Sequence, residues 1–135
     1  MDALHALYDR DGARVAFFIV YIKEAHPEDG WVLTHNREEG IAVSDPSSEQ
    51  ERVAVAGACV ARSAIRIPVL LDSMDNTVAS AYGGWPDRLY LIGRDGRVNF
   101  QGEKGPRGFL PERLEEAIED ELNHEIPARA TRRPR

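Results

Sequence analysis

Glu24 and His26 stand two residues apart, just after the apolar run Val15-Ala16-Phe17-Phe18-Ile19-Val20. Trp31 follows them across Pro27 and the Asp29-Gly30 turn. An imidazole titrates near neutrality, and a carboxylate beside it can orient it or exchange protons with it, so the pair could form an acid–base site. The run before it is rich in β-branched and aromatic residues and reads as a buried strand, as in a parallel sheet. In open α/β sheets ligands bind beyond the carboxyl ends of the strands. The pair therefore falls where chemistry is expected. The same spacing also fits a histidine that caps a loop and an indole that fills the core, and at this level both readings are open.

Other residues with chemical potential are few. Cys59 is the single cysteine, so there is neither an intramolecular disulfide nor a Cys-x-x-Cys motif. It falls inside a helical stripe, where free cysteine behaves as a small hydrophobe and reacts slowly. His5, His35 and His124 have no metal-ligand spacing with one another or with Cys59, and no metal or other cofactor is expected.

The elements that must position these groups can be read in order. Leu4, Leu7 and Tyr8 share one side of a short helix that Asp11-Gly12 ends. Residues 15 to 22 form the first strand. Residues 32 to 46 lack periodicity and read as a long connection. Ser47 or Ser48 with Glu51 resembles a capping box, opening a helix to about Ser63 with Val53, Ala56 and Val60 on its apolar stripe. Residues 67 to 71 are a second strand closed by Asp72, and residues 75 to 82 a short helix ended by Gly83-Gly84. Leu89-Tyr90-Leu91-Ile92 and Val98-Asn99-Phe100 flank an Asp95-Gly96 turn, a hairpin signal. Pro111 starts a last helix that buries Leu114, Ala117, Ile118 and Leu122.

At 135 residues the chain is one domain, expected over residues 1–124, with a basic, disordered tail at 125–135. Hydrophobic residues make up 42% and charged residues 30%, as in ordinary globular proteins. The net charge is −6, and four of the 17 bases (Arg129, Arg132, Arg133 and Arg135) lie in the tail. The body is thus strongly acidic, which argues against binding a phosphate backbone. No apolar run approaches the ~20 residues that span a bilayer, and Met1-Asp2-Ala3-Leu4-His5 has no signal-peptide character. Neither nucleic acid nor membrane is expected as a partner, and the cytoplasm is the expected location.

The stretch "VYIKEAHPEDGW" closely resembles the iodothyronine deiodinase family, thioredoxin-fold selenoenzymes with bacterial relatives. The resemblance recurs in order through "ERVAVAGACV", "IPVLLDSMDNTVASAYGGWPDRLYLI" and "GRDGRVNFQGEKGPRGF", and covers residues 4 to 122. It implies a thioredoxin-like α/β fold with a mixed central sheet flanked by helices. It also implies an oxidoreductase that acts on a small aromatic substrate, with iodination and a homodimer left open, and uses a thiol reductant. His26 would hold and protonate substrate, with Glu24 orienting it and Trp31 lining the pocket. Lys104, in "GEKGPRGF", stands where the family has a substrate-gripping arginine, and it keeps the charge without the planar fork. A solvated loop lysine is the competing reading. Pro46 occupies the place of a further family histidine. Trp85-Pro86 precedes a strand at the position where thioredoxin folds keep a cis-proline.

The family carries its nucleophile in a Gly-Ser-x-Thr-x-Sec/Cys-Pro-Pro-Phe loop between the first core strand and the first helix. No such stretch occurs in this sequence, which opens inside that helix. The expectation is a chain without the first core strand and the nucleophile loop, inactive as written. Its reading frame is expected to continue upstream through a UGA or cysteine codon. Two alternatives accompany this reading: a non-catalytic module that binds aromatic ligands, and a thiol peroxidase that uses Cys59.

Overall fold

A computed structural model describes residues 1–24 and 46–124, and the architecture below concerns these. Leu4 and Leu7 lie on the inner face of α1 (Asp2–Asp11) and are buried. The chain turns at Asp11, which is fully buried. Its carboxylate takes Arg10 at 2.7 Å and Arg14 at 2.6 Å, while its carbonyl accepts from the amides of Arg14 and Val15. Burial alone would raise this carboxyl's pKa; the two guanidiniums outweigh it and hold the group below the ordinary carboxylate range. Strand β1 (Ile19–Tyr21) follows, shorter than the apolar run that announced it.

Helix α2 (Glu49–Arg62) begins at Ser48, whose Oγ accepts from the Glu51 amide at 3.2 Å. The Glu51 carboxylate returns to the amide and hydroxyl of Ser47, both at 2.7 Å, so the two serines share the capping that one alone would do. Ala56 is buried and Val60 half-buried, as the stripe predicts, but Val53 is 55% exposed. Arg52, one residue earlier, takes the buried place because its guanidinium finds three acceptors there. Cys59 is half-buried. Next come β2 (Val69–Leu71), α3 (Thr77–Tyr82), β3 (Tyr90–Ile92), β4 (Val98–Gln101) and α4 (Pro111–Asn123).

The expected mixed central sheet is, among the described residues, two separate sheets. β1 pairs with β2 in parallel, Ile19 opposite Val69, while β3 pairs with β4 antiparallel, Tyr90 opposite Gln101. The bonds of β1 to β2 are made by Ile19 and Tyr21, through Pro68 and Asp72, so the polar backbone groups of Val20 face the opposite edge. The two sheets share one apolar core. Leu4 and Leu7 of α1, Ile67 before β2, Leu91 of β3, and Leu114 and Ile118 of α4 form a single buried cluster, with Phe17, Ile19 and Phe100 against it. Helix α4 packs on α1, β3 and β4, and α2 packs on β2. Along the run into β1, the odd-numbered Val15, Phe17 and Ile19 pack on this core while Phe18 and Val20 are exposed, as period-two alternation requires.

Among the described residues no helix is long and apolar enough to cross a membrane, and no group of three acidic, histidine or cysteine side chains could hold a metal ion.

Candidate active site at the exit of the first strand

Glu24 lies where β1 leaves its sheet, and its carboxylate accepts a hydrogen bond from the Tyr21 hydroxyl. Two residues lie between them, enough for the chain to turn back so that the side chain ending the strand meets the first acid after it. Tyr21 is half-buried. Burial first, then the hydrogen bond and charge of Glu24, push its phenol far above the ordinary value, so it stays protonated and acts as a donor. Cys59 adds to that upward push and Arg52 opposes it, so both lie near enough to act on the Tyr21 hydroxyl. Tyr21 is the member of the site that the sequence reading missed. Its place inside the strand made it look like core.

Across from Glu24 runs the segment leading into β3. The Trp85 indole N–H donates to the Glu24 carbonyl at 3.4 Å, and the Lys23 ammonium sits 5.4 Å from the indole centre. Ile22 packs beside Gly84. The Trp85–Pro86 peptide bond is cis, as is Gly105–Pro106. The exit of the parallel sheet thus meets the entrance of the antiparallel one at Glu24 and Trp85. Trp85 was singled out for its proline; the structure adds the indole's contact with Glu24.

A second polar cluster fixes this end of the parallel sheet. Asp72 closes β2 and is buried. Its carboxylate accepts from the amides of Ser73 and Val78 at 2.9 Å and of Ala79 at 2.8 Å. Burial would raise its pKa, but these three N–H groups and the nearby Arg52 lower it below the usual range. Asp72 thereby satisfies the first turn of α3, a task that the helix's own flanking residue does not perform. That residue, Asn76, adopts a left-handed backbone at φ 57° and offers its side-chain oxygen to Arg52 at 3.2 Å. Arg52 also donates to the carbonyls of Asp72 at 3.1 Å and Ser73 at 2.7 Å. None of these partners is near Arg52 in sequence, so spacing could not have found the cluster.

Lys104 lies on the turn after β4 and is exposed. Its Cε comes within 3.9 Å of where a Gly83 side chain would begin, and Arg88 is closer still to that point. The segment 83–86 therefore runs past Lys104 at one end and reaches Glu24 through Trp85 at the other. The turn is held by the Gly105 amide, which donates to the Asp87 carbonyl at 3.0 Å. The Asp87 carboxyl lies where a side chain on residue 105 would stand, so any larger residue there would have to displace it. One Asp87 oxygen is buried without a partner among the described residues, and burial raises the group above the ordinary carboxylate range despite the nearby Gly105 amide. His26 and Trp31 lie outside the described residues, as do most of the long connection and the basic tail.

Comparison with known proteins decides the family. The iodothyronine deiodinase model matches residues 1–122.

The chain belongs to the iodothyronine deiodinase family.

It is similar to the thyroxine 5-deiodinases of Ovis aries and Homo sapiens, each 38% identical over 119 residues. That match takes in 87% of this chain and 38% of the sheep protein or 36% of the human one. The type I iodothyronine deiodinase of Xenopus laevis is 35% identical over 103 residues, covering 76% of this chain and 38% of that protein. The chain thus spans little more than a third of the length of these relatives.

Proposed function

We propose that this chain is the substrate-binding and proton-delivering part of a deiodinase-like oxidoreductase, one that removes iodine reductively from an aromatic ring. The observation that carries this reading is the Tyr21–Glu24–Trp85 contact at the strand exit, in a chain whose residues 1–122 match the family. In this reaction a chalcogenolate attacks the iodine, the carbon–iodine bond breaks, and the ring carbon takes a proton. A thiol reductant then restores the nucleophile and releases iodide. Tyr21 stays protonated and holds the Glu24 carboxylate by its hydrogen bond, Glu24 relays a proton, and His26, two residues on from Glu24, receives or supplies it at the substrate. Trp85 and Trp31 give aromatic surface for the ring, and Lys104 a positive charge for an acidic group.

The nucleophile is not Cys59 in this reading, since a thiol in the middle of α2 lacks the helix N-terminus that stabilises a thiolate. A strand lying between β1 and β3 would join the two sheets, and a loop at its end would place a selenol or thiol near Glu24 and Pro86. Without that loop the chain binds an aromatic ligand but does not turn over.

The test joins such a strand and a Gly-Ser-x-Thr-x-Cys-Pro-Pro-Phe loop ahead of Met1 and follows iodide release from an iodinated phenol with dithiothreitol. The extended chain is expected to release iodide and the chain alone only to bind. Glu24→Gln and His26→Ala should each slow the extended chain by about 10²-fold or more, the usual weight of an acid–base group. An extended chain that folds yet releases no iodide, or releases it at the same rate in both variants, sinks the proposal.

A further inference from the structure

A cavity of about 460 Å³ opens between the end of α3 and the β3–β4 hairpin, lined among others by Tyr82, Arg88, Tyr90, Val98 and Gln101. None of its lining residues is an acid, in a protein whose net charge is −6. Arg88 is the cation inside it, and among the described residues it has no carboxylate partner. Its orientation is fixed. The Nε donates to the Gly102 carbonyl at 2.6 Å, and the guanidinium lies 5.6 Å from the Tyr90 ring centre.

The walls are aromatic. Tyr82 meets Tyr90 edge to face, with centroids 4.9 Å apart and planes at 84°, and the Tyr90 hydroxyl donates to the Tyr82 carbonyl. Gln101 stands at the terminal nitrogens of Arg88. With its oxygen turned inward it accepts from them at 3.1 and 2.6 Å, with the Tyr90 hydroxyl 3.2 Å away. A half-turn of that amide presents its NH₂ instead, so an arriving carboxylate can take the guanidinium edge and receive a further donor from Gln101. Lys104, whose Cε comes within 3.9 Å of the same point on Gly83 that Arg88 approaches, adds to the local positive field.

We infer that this cavity is a binding site for a small aromatic carboxylate, its acid group on Arg88 and Gln101 and its ring against Tyr82, Tyr90 and Val98. An inorganic anion would use the guanidinium and leave the aromatic wall idle. A neutral arene would leave Arg88 without a carboxylate partner. The site includes neither Glu24 nor any other residue of the strand exit, so it stands or falls apart from the reductive reading.

The experiment is a calorimetric titration of the whole chain with 4-hydroxybenzoate, alongside its uncharged methyl ester. Saturable binding is expected, at least tenfold weaker for the ester. Arg88→Lys keeps the charge but loses the fork and should weaken binding at least tenfold. Val98→Trp fills the cavity from an exposed position without touching Arg88 and should abolish it. Circular dichroism checks each variant, and if Arg88→Lys fails to fold, Val98→Trp decides. Glu24→Gln should bind like the parent. Absence of saturable binding, an ester that binds equally, or full affinity in a folded Val98→Trp overturns the inference. So does an equal loss in Glu24→Gln, which would put the probe at the strand exit.

Discussion

The two sheets are built on opposite principles. The β3–β4 sheet is local. Gly96, at φ 80°, makes the turn, its amide donating to the Gly93 carbonyl at 2.9 Å, while the Gly93 amide donates to the Arg97 carbonyl at 2.8 Å. Asp95 accepts from the Arg97 amide, and Glu121 of α4 takes Asn99 and the Arg94 amide from the hairpin's rim. The β1–β2 sheet joins Ile19 to Val69 across the whole of α2, and polar side chains finish it: Asp72 and Arg52 at the end of β2, Tyr21 and Glu24 at the end of β1. Turn chemistry makes the first sheet. Buried polar groups anchor the second, and the same end of it carries the candidate chemistry. A site that needs fixed donors and acceptors sits where long-range polar contacts already hold two strands in place.

The largest expected effect tests whether the two sheets are one cooperative unit. Ile118 is 1% exposed and belongs to the cluster that includes Ile67 on one side and Leu91 on the other. Ile118→Ala should cost about 2–5 kcal/mol, the usual range for emptying a well-packed aliphatic site. Urea unfolding gives the loss, and amide exchange says how it is shared. The amides of Ile19 and Gly102, one from each sheet, should lose protection together. Loss on only one side would mean that the halves unfold separately despite their shared core.

The next effect should be confined to the parallel sheet. Removing the Asp72 carboxylate leaves the amides of Val78 and Ala79 unpaired at the start of α3, so Asp72→Ala should cost about 1–3 kcal/mol at neutral pH. Its pH dependence has a definite sign. The folded-state pKa of Asp72 is lowered, so its contribution is complete above the unfolded value of about 3.9 and disappears as pH falls through the folded value. The gap between parent and variant in urea melts should therefore close below about pH 4. A gap that persists there would mean that lost packing, not the carboxylate's hydrogen bonds, is what the substitution removes.

What could be read beforehand follows the same division. The hairpin was plain in Asp95-Gly96 between two apolar runs, and α4 in Pro111 followed by Leu114 and Ile118 at helical spacing. The serine–glutamate cap of α2 was visible too, though not that Ser47 and Ser48 would divide the work. These are signals within a few residues of one another. Arg52 was invisible because its acceptors arrive from residues 72 to 76, and the stripe assigned Val53 the buried place that Arg52 occupies. Tyr21 was hidden inside a strand for the same reason: its significance lies in a partner across a bend. Glu24 was found by its chemistry and its place after a strand. Its contact with Trp85, sixty-one residues away, needed the fold.

The smallest effect belongs to the turn that carries Lys104, and its sign is opposite to that of Asp72. Asp87 has one buried oxygen without a partner, and its pKa is raised by burial, with the Gly105 amide opposing. Its favourable state is the neutral acid. The stability that this state contributes is complete below the unfolded value of about 3.9 and is lost as pH rises through the folded value. At neutral pH the parent holds a poorly solvated carboxylate, whereas Asp87→Asn holds a neutral group of the same shape whose oxygen can face the Gly105 amide. The variant should equal the parent near pH 3 and exceed it at pH 7, by up to about 1 kcal/mol given the modest cost of an unmade hydrogen bond at a half-buried site. Urea melts at the two pH values make the comparison. An Asp87→Asn variant that is weaker at pH 7 would show that the ionised carboxylate has a stabilising partner at the turn. Asp87 would then belong with Asp72, as a charge that holds a strand end, and the contrast between the two sheets would be one of chain distance alone.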